Sequence, residues 1–486
     1  MADIDTSVSA SAGPCDDKGG DARNPLEAFA AWITGTRTDW PAQALHSAHR
    51  EFIDFIAVMI AGLAEPATAK VRQVARGWGL GPASAVGCST RLAAPWAALV
   101  NGTAGHVLDF DDNFDPPKAH ATTVLAPAIL ALGEEVAADG ARVLDAYIVG
   151  LQIQGRLGQA LNPYHRDRGW HATATTGAFG AAAACARLLG LDAEATANAL
   201  SISVSMASGF MSQFGTMTKP LHAGLAAKAG IMAARLAEAG MTAGRATLDG
   251  PHGMQRLMVG PDFVELREGH THVDHGQTMR FETANVGEPL LITEHGYRVK
   301  RFPNCGSAHR AMDALLFLMA EHDFTPADIE KIEVHAPAVH LNNLMYRNPK
   351  TGLEAKFSME YALASLLIRG RAGIAEFTDE AVADEMVRAA MKLVERHPVP
   401  GLEGEIVTRV IVRLKDGRTL EEAREWPEGS KWKPFPDDLY WKKFDECTQT
   451  LLPGEIRRLV REALAGLPEL AHIGTLMSPL AREFGG

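Results

Sequence analysis

PLHAGLAAKAGIMAARLAEAG, Pro220 to Gly240, is too apolar and too rich in small residues for a helix on a protein surface. The proline suits a first helical turn and Gly240 suits the stop. Ala and Gly put little side chain between neighbouring backbones, so the stretch predicts a helix packed tightly among other helices. TGAFGAAAACARLLGL has the same make-up, and a third such segment starts at Pro95 and runs through WAALVNGTAGHVLDFDD. From about residue 25 to 260 the chain reads as helices of this kind separated by short Gly/Pro breaks.

The texture changes after about residue 290. DIEKIEVHAPAV and GEIVTRVIVRLKDGRTLE have the alternation of strands, the second with an Asp-Gly hairpin turn. FSMEYALASLLIRG reads as a helix between them. After about residue 428, WKPFPDDLYWKKFDECTQTLLPGEIRRLVREALAGL returns to helix. The expected fold is mainly α. A large all-helical domain is built from both chain ends (25–292 and 428–486), and a smaller α+β domain (293–427) is inserted in it. Residues 1–24 read as a disordered tail, with no apolar core for a signal peptide.

The remaining bounds come from composition. The 486 residues are 47% hydrophobic and 22% charged, ordinary values for a globular chain. A net charge of −12 argues against nucleic acid as the main partner, but a local basic pocket for a small anion fits inside an acidic protein. The longest apolar run, Phe52 to Ala64, is interrupted by Asp54 and falls short of the ~20 residues of a membrane span. A cytoplasmic chain without membrane contact is expected. The five cysteines are scattered and form no CxxC, so neither a disulfide framework nor a metal–sulfur site is indicated.

Four stretches hold residue types suited to chemistry. GTMTKPLHAG places Thr218 or Lys219 at or beside a helix N-cap and His222 in the first turn. A helix start offers free N–H groups and partial positive charge, and Lys219 adds to it, which suits an anion. A capped helix with a solvated lysine fits that stretch equally well. In HVLDFDDNFDPPKAH, a continuing helix would put His106, Asp109 and Asn113 on one face, with Asp111, Asp112 and Asp115 crowding its end and His120 in the loop beyond. Carboxylates crowded beside histidines spread pKa values as acid–base work requires, although a solvated acidic helix end is the commoner fate of such a run. YHRDRGWHATATTGAFG sets His171 just before a helix. YRVKRFPNCGSAHRAMDALL sets Lys300 and Arg301 before a turn and Cys305 and His309 after it, two cations suited to carboxylates. A fifth stretch, HTHVDH, is similar to the ligand pattern of metallo-β-lactamase-fold hydrolases through His270, His272, Asp274 and His275. That fold needs strands where this chain reads as helix, so no metal is expected.

LDFDD, GWHATATTGAFG, GTMTKPLHAG, KRFPNCGSAH and EAKFSMEYALA follow one another in the order and context of the MmgE/PrpD family, which the chain resembles from about residue 25 to 480. The family includes 2-methylcitrate dehydratase, cis-aconitate decarboxylase and iminodisuccinate epimerase. The resemblance implies a helical domain, a smaller lid domain, a homodimer, and an active site between the domains that in most members uses no cofactor. By motif it assigns Asp109, His120, His171 and Lys219 to the active site with Lys300; His222 joins the catalytic set, and Asn113, Arg301, Cys305 and His309 join Lys300 in binding substrate. Asn113 stands where the decarboxylase pattern has threonine and Cys305 where it has histidine. The implied function is therefore a cofactor-independent, dehydratase-like lyase. It would abstract a proton next to a carboxylate of a small di- or tricarboxylate. Epimerisation, decarboxylation and a metal-dependent hydrolase follow as alternatives.

Overall fold

Thr218–Glu238 is one helix in the computed structural model, which describes residues 23–271, 274–401 and 406–484. It packs against the helices Ala94–His106 and Ala172–Leu189. The small residues are needed at these contacts. A Cβ on Gly224 would lie 2.2 Å from the Leu99 carbonyl oxygen, and one on Gly230 would lie 2.4 Å from the Ala181 Cβ. Backbones this close leave no room for a methyl group.

Two hydrophobic cores form. The first collects residues from Leu26 to Val299 and again from Tyr440 to Leu480; the second collects Phe302 to Leu420. Both ends of the chain thus share one core. The contact is specific: Gly140 N–H donates to the Leu470 carbonyl at 2.8 Å, and Lys443 pairs with Asp54 at 2.7 Å. The change of core falls between Val299 and Phe302, so the expected junction at 292/293 lies inside the first core. At the other end Asn24, placed in the expected tail, caps the Pro25–Gly35 helix and donates to the Arg245 carbonyl at 2.9 Å. Residues 1–22 of that expected tail lie outside the described residues.

The second core is a four-stranded sheet covered by helices, in the order Val394–Val399, Ile329–Pro337, Thr408–Leu414, Thr419–Arg424. The first two strands run parallel, with Ile332 opposite Val394; the other pairs are antiparallel, with Val334 opposite Val410 and Val412 opposite Leu420. Ile332, Val334 and Ala336 are buried, and the helices His309–Glu321 and Met359–Arg369 pack against the sheet. The hairpin turns at Asp416–Gly417, where Gly417 has φ +91°. The fold is mainly α with this small mixed sheet.

Three local expectations change. The helix expected to run through LDFDD ends at His106, and Asp109 has φ +51°, so His106, Asp109 and Asn113 share a turn rather than a helix face. Met217 is the N-cap of the Thr218–Glu238 helix with Thr218 beside it, and the Thr218 N–H donates to Thr216 Oγ1 at 3.2 Å; His222, expected in the first turn, falls in the second. The strand Val394–Val399 was not anticipated: VERHPV has charges and a proline, which an edge strand tolerates. Among the described residues no single helix is long and apolar enough to cross a membrane.

Candidate active site

Asp109 organises the site. Its left-handed backbone, which aspartate tolerates better than most residues, turns the chain just past the Ala94–His106 helix. Its Oδ1 meets two ammonium groups: Lys300 Nζ at 2.7 Å and Lys219 Nζ at 3.0 Å. Lys300 also donates to the Asp109 carbonyl at 2.7 Å. Burial by itself would raise the Asp109 pKa, but Lys219 and Lys300 outweigh it and hold the carboxyl well below its usual range. Lys219 lies over the rings of Phe214 and Phe357, 5.3 and 4.9 Å from their centroids, where the aromatic faces favour its charge. A further buried ammonium, Lys356 Nζ, donates to the carbonyls of Leu108 and Pro303 at 2.8 and 2.9 Å. It fastens the Asp109 turn to the KRFPN turn, and burial lowers it to about 8.

Four histidines surround this pair. His106 bonds Asp111 at 2.7 Å; His120 lies 3.3 Å from Asp111 and 3.6 Å from Asp109. His171 Nδ1 meets His222 Nδ1 at 3.0 Å, so one ring donates and the other accepts. The His106 ring lies 4.6 Å from His120 and 5.8 Å from His171. Burial is the largest influence on each ring and lowers its pKa: His106 to about 3, His222 to about 4, His120 below its usual value and His171 well below it. At neutral pH these imidazoles are uncharged, and a neutral imidazole is able to take a proton. Next to them, burial and then Asp111 push Asp112 up to about 8.

A narrow cavity of about 90 Å³ opens onto this cluster where the two cores meet. Of the residues singled out from sequence, Asp109, Asn113, Asp115, His120, His171, Lys219 and Cys305 line it. The others stand behind the wall or turn away. His222 backs His171, and Lys300 is 1% exposed beneath Asp109. His309 bonds Asn304 at 2.8 Å, and Arg301 reaches Asp313 at 3.1 Å, facing a different, larger cleft of about 560 Å³. Arg301 and His309 are thus taken up by side-chain pairs outside this cavity, and Lys300 reaches it only through the Asp109 carboxylate. Arg166, Arg298, Ser307 and Asn343 also line the cavity and were not anticipated. Arg166 and Arg298 belong to stretches read above, but no local pattern tells which way a loop arginine points.

Metal ligation fits poorly. His106, Asp109, Asp111 and His120 bring ligand atoms within 4.8 Å of one another, but the two ammonium groups on Asp109 repel a cation. Glu333, His335 and His397 cluster on the sheet, where Arg413 and Lys331 already hold the Glu333 carboxylate. In HTHVDH the His270 Nε2 donates to the Gln277 carbonyl at 2.7 Å and Asp274 pairs with Lys118 at 3.2 Å; His272 lies outside the described residues.

Fold and site together describe a two-core protein whose enclosed cavity joins lysine, carboxylate and neutral histidines, a setting for proton transfer on a small anion. A model of the MmgE/PrpD N-terminal domain matches residues 27–266 and one of the MmgE/PrpD C-terminal domain matches residues 302–465. The chain belongs to the MmgE/PrpD family. It is similar to the cis-aconitate decarboxylase of Homo sapiens, 29% identical over 80% of either chain. It is also similar to that of Mus musculus, 28% identical over 87% of this chain and 86% of the relative. The Aspergillus terreus cis-aconitate decarboxylase is 25% identical over 92% of this chain and 94% of the relative.

Proposed function

We propose that this chain is a lyase that moves a proton at the carbon next to a carboxylate of a small di- or tricarboxylate. The observation that carries the reading is the meeting of Lys219 and His171 at one cavity, with Asp109 anchoring the lysine from behind. An α-proton is weakly acidic because its loss leaves charge on the carboxylate. An ammonium at that carboxylate stabilises the charge where it develops. Lys219 has three donors, so it serves Asp109 and a substrate oxygen together. His171 is the base: its Nδ1 is engaged by His222, which leaves Nε2 for the proton. In the leading, dehydratase-like form the C–H electrons become a C=C bond. The β C–O bond breaks, and the hydroxyl leaves as water with the proton that His171 has taken, which returns that ring to neutrality. His120, neutral and lining the same cavity, donates a hydrogen bond to the departing oxygen. Lys219 supplies the positive charge, so this reaction needs no added cofactor.

The named relatives favour a second form, decarboxylation of a cis-aconitate-like tricarboxylate. There the C–C bond to a carboxylate breaks, its electrons shift through the double bond, and a histidine delivers a proton to the far carbon. Proton NMR in D2O separates the forms. The protein is incubated with citrate, 2-methylcitrate, cis-aconitate, malate and iminodisuccinate, with Lys219→Ala and His171→Ala alongside. Elimination gives an alkene with loss of water, decarboxylation gives a five-carbon alkene, and epimerisation gives deuterium exchange without either. Turnover that persists in both variants, or none with any substrate in the wild type, overturns the reading.

A further inference from the structure

Among the described residues four cations line the cavity, and three are matched to carboxylates: Lys118 to Asp274, Lys219 to Asp109, and Arg298 to Asp115. Arg166 differs. Its guanidinium donates to the side-chain oxygen of Asn343, a neutral amide, and the Asn343 amide donates in turn to Ser307 Oγ at 2.9 Å. All three side chains line the cavity. Arg166 belongs to the short helix Tyr164–Asp167 beside the first core, whereas Asn343 closes the helix Ala338–Asn343 beside the sheet. The chain of hydrogen bonds therefore crosses the junction of the two cores.

A guanidinium keeps its charge at any pH of interest, and its planar fork matches the two oxygens of a carboxylate. Arg156 satisfies its fork with several carbonyl and amide oxygens, and two other arginines in this molecule have the carboxylate match. Arg187 reaches both oxygens of Asp145 at 2.7 and 3.3 Å, and Arg413 both of Glu333 at 2.9 and 3.3 Å. Opposite Arg166 an amide accepts one bond and leaves the charge uncompensated at the wall of a narrow polar cavity. Such a cation is satisfied by an anion that enters and displaces the amide. The amide and hydroxyl next to it are then free to donate to the same carboxylate.

We propose that Arg166, with Asn343 and Ser307, is a second carboxylate-binding position, separate from the one at Lys219, and that it makes this cavity select polycarboxylates. The assignment rests on the polycarboxylate reading given above. It names Arg166 as a residue that fixes which carboxylates are accepted, with no part in the proton transfer. A carboxylate bound there also ties the sheet side of the cavity to the helical side, because its ligands come from both.

The test is calorimetric binding of tricarballylate, an unreactive tricarboxylate, to the full chain and to the Arg166→Met, Arg166→Lys and Asn343→Asp variants. Loss of a charge-assisted pair weakens binding by about 10- to 100-fold in Arg166→Met, with Arg166→Lys in between. Asn343→Asp keeps Arg166 and gives it a permanent carboxylate, so its melting temperature holds or rises while tricarballylate binding weakens about as much. A purely structural Arg166–Asn343 contact predicts the reverse: a better pair and unchanged binding. Wild-type affinity in Asn343→Asp overturns the assignment while leaving the polycarboxylate reading in place. Failure of the wild type to bind tricarballylate overturns both.

Discussion

His171 and His222 share a hydrogen bond between like nitrogens, each ring pushed toward its neutral form by burial. Their folded pKa values lie below that of a free histidine, so the base stays deprotonated as the pH falls past 6.5. The acid limb of kcat/KM is therefore expected well below the pH near 6.5 at which an unperturbed imidazole is half protonated. Removing the partner with His222→Phe frees the His171 ring from its set tautomer. A fall in kcat of about 10- to 100-fold with a nearly constant KM is expected, and the acid limb should move as well. An unchanged pH profile in that variant would leave His222 a packing residue. Much of this cluster was legible because Asp109, His120, His171 and Lys219 stand in stretches whose residue types suit proton transfer on an anion. Arg301 and His309 looked equally suitable, yet they pair with Asp313 and Asn304. Residue type was readable for all of them; direction was not.

Helix elements were readable where composition demanded burial. The Ala/Gly run from Pro220 forms the expected helix because only small residues permit its contacts, and Gly224 shows the limit. Gly224→Ala forces a methyl group against the Leu99 carbonyl oxygen and separates two core helices. A loss of about 1–3 kcal/mol is expected, since overpacked cores of this kind typically lose that much. Differential scanning calorimetry of the variant checks it, and the loss should exceed that of Gly454→Ala, a position with nothing within 4 Å. Element boundaries were less legible. The helix ending at His106 stops because Asp109 is held in a left-handed turn by Lys300, a residue far along the chain. The parallel strand Val394–Val399 exists because Ile329–Pro337 offers it an edge, which its own sequence does not announce.

For the whole molecule the buried titratable groups set the response to acid. His106, His165 and His309 are each lowered to about 3 and His222 to about 4, mainly by burial, and His171 lies well below its usual value. Below about pH 6.5 the unfolded chain takes up protons that these folded sites refuse. Each histidine then withdraws about 1.4 kcal/mol of stability per pH unit until its folded pKa is reached. Asp112, raised to about 8, and Glu51, raised by burial and then Asp112, act in the opposite sense. Between their unfolded and folded pKa values they are protonated when folded and ionised when unfolded, so each adds stability as the pH falls toward its unfolded value, Asp112 from about 8 downward. His120 and His295, the latter lowered to about 4, bring the lowered histidines to seven among the described residues. Asp54, Glu65, Glu134 and Asp313 are raised too, but only Asp112 and Glu51 are raised far, so the melting temperature should drop from pH 6.5 to 5. A flat profile over that range would show that the rings are already charged in the folded state.

The sequence by itself determined the class of fold, the run of helices, the central hairpin and the lysine, aspartate and histidines at the heart of the cavity. These follow from local causes: small residues that allow close packing, alternation that suits a sheet, and histidine, lysine and aspartate gathered in short stretches. Only the tertiary structure decided that Lys219 and Lys300 share one oxygen of Asp109, that His222 stands behind His171, and that Arg166 faces a neutral partner. Those pairings join segments from distant parts of the chain. Their energy depends on distance and burial, which no window of sequence contains.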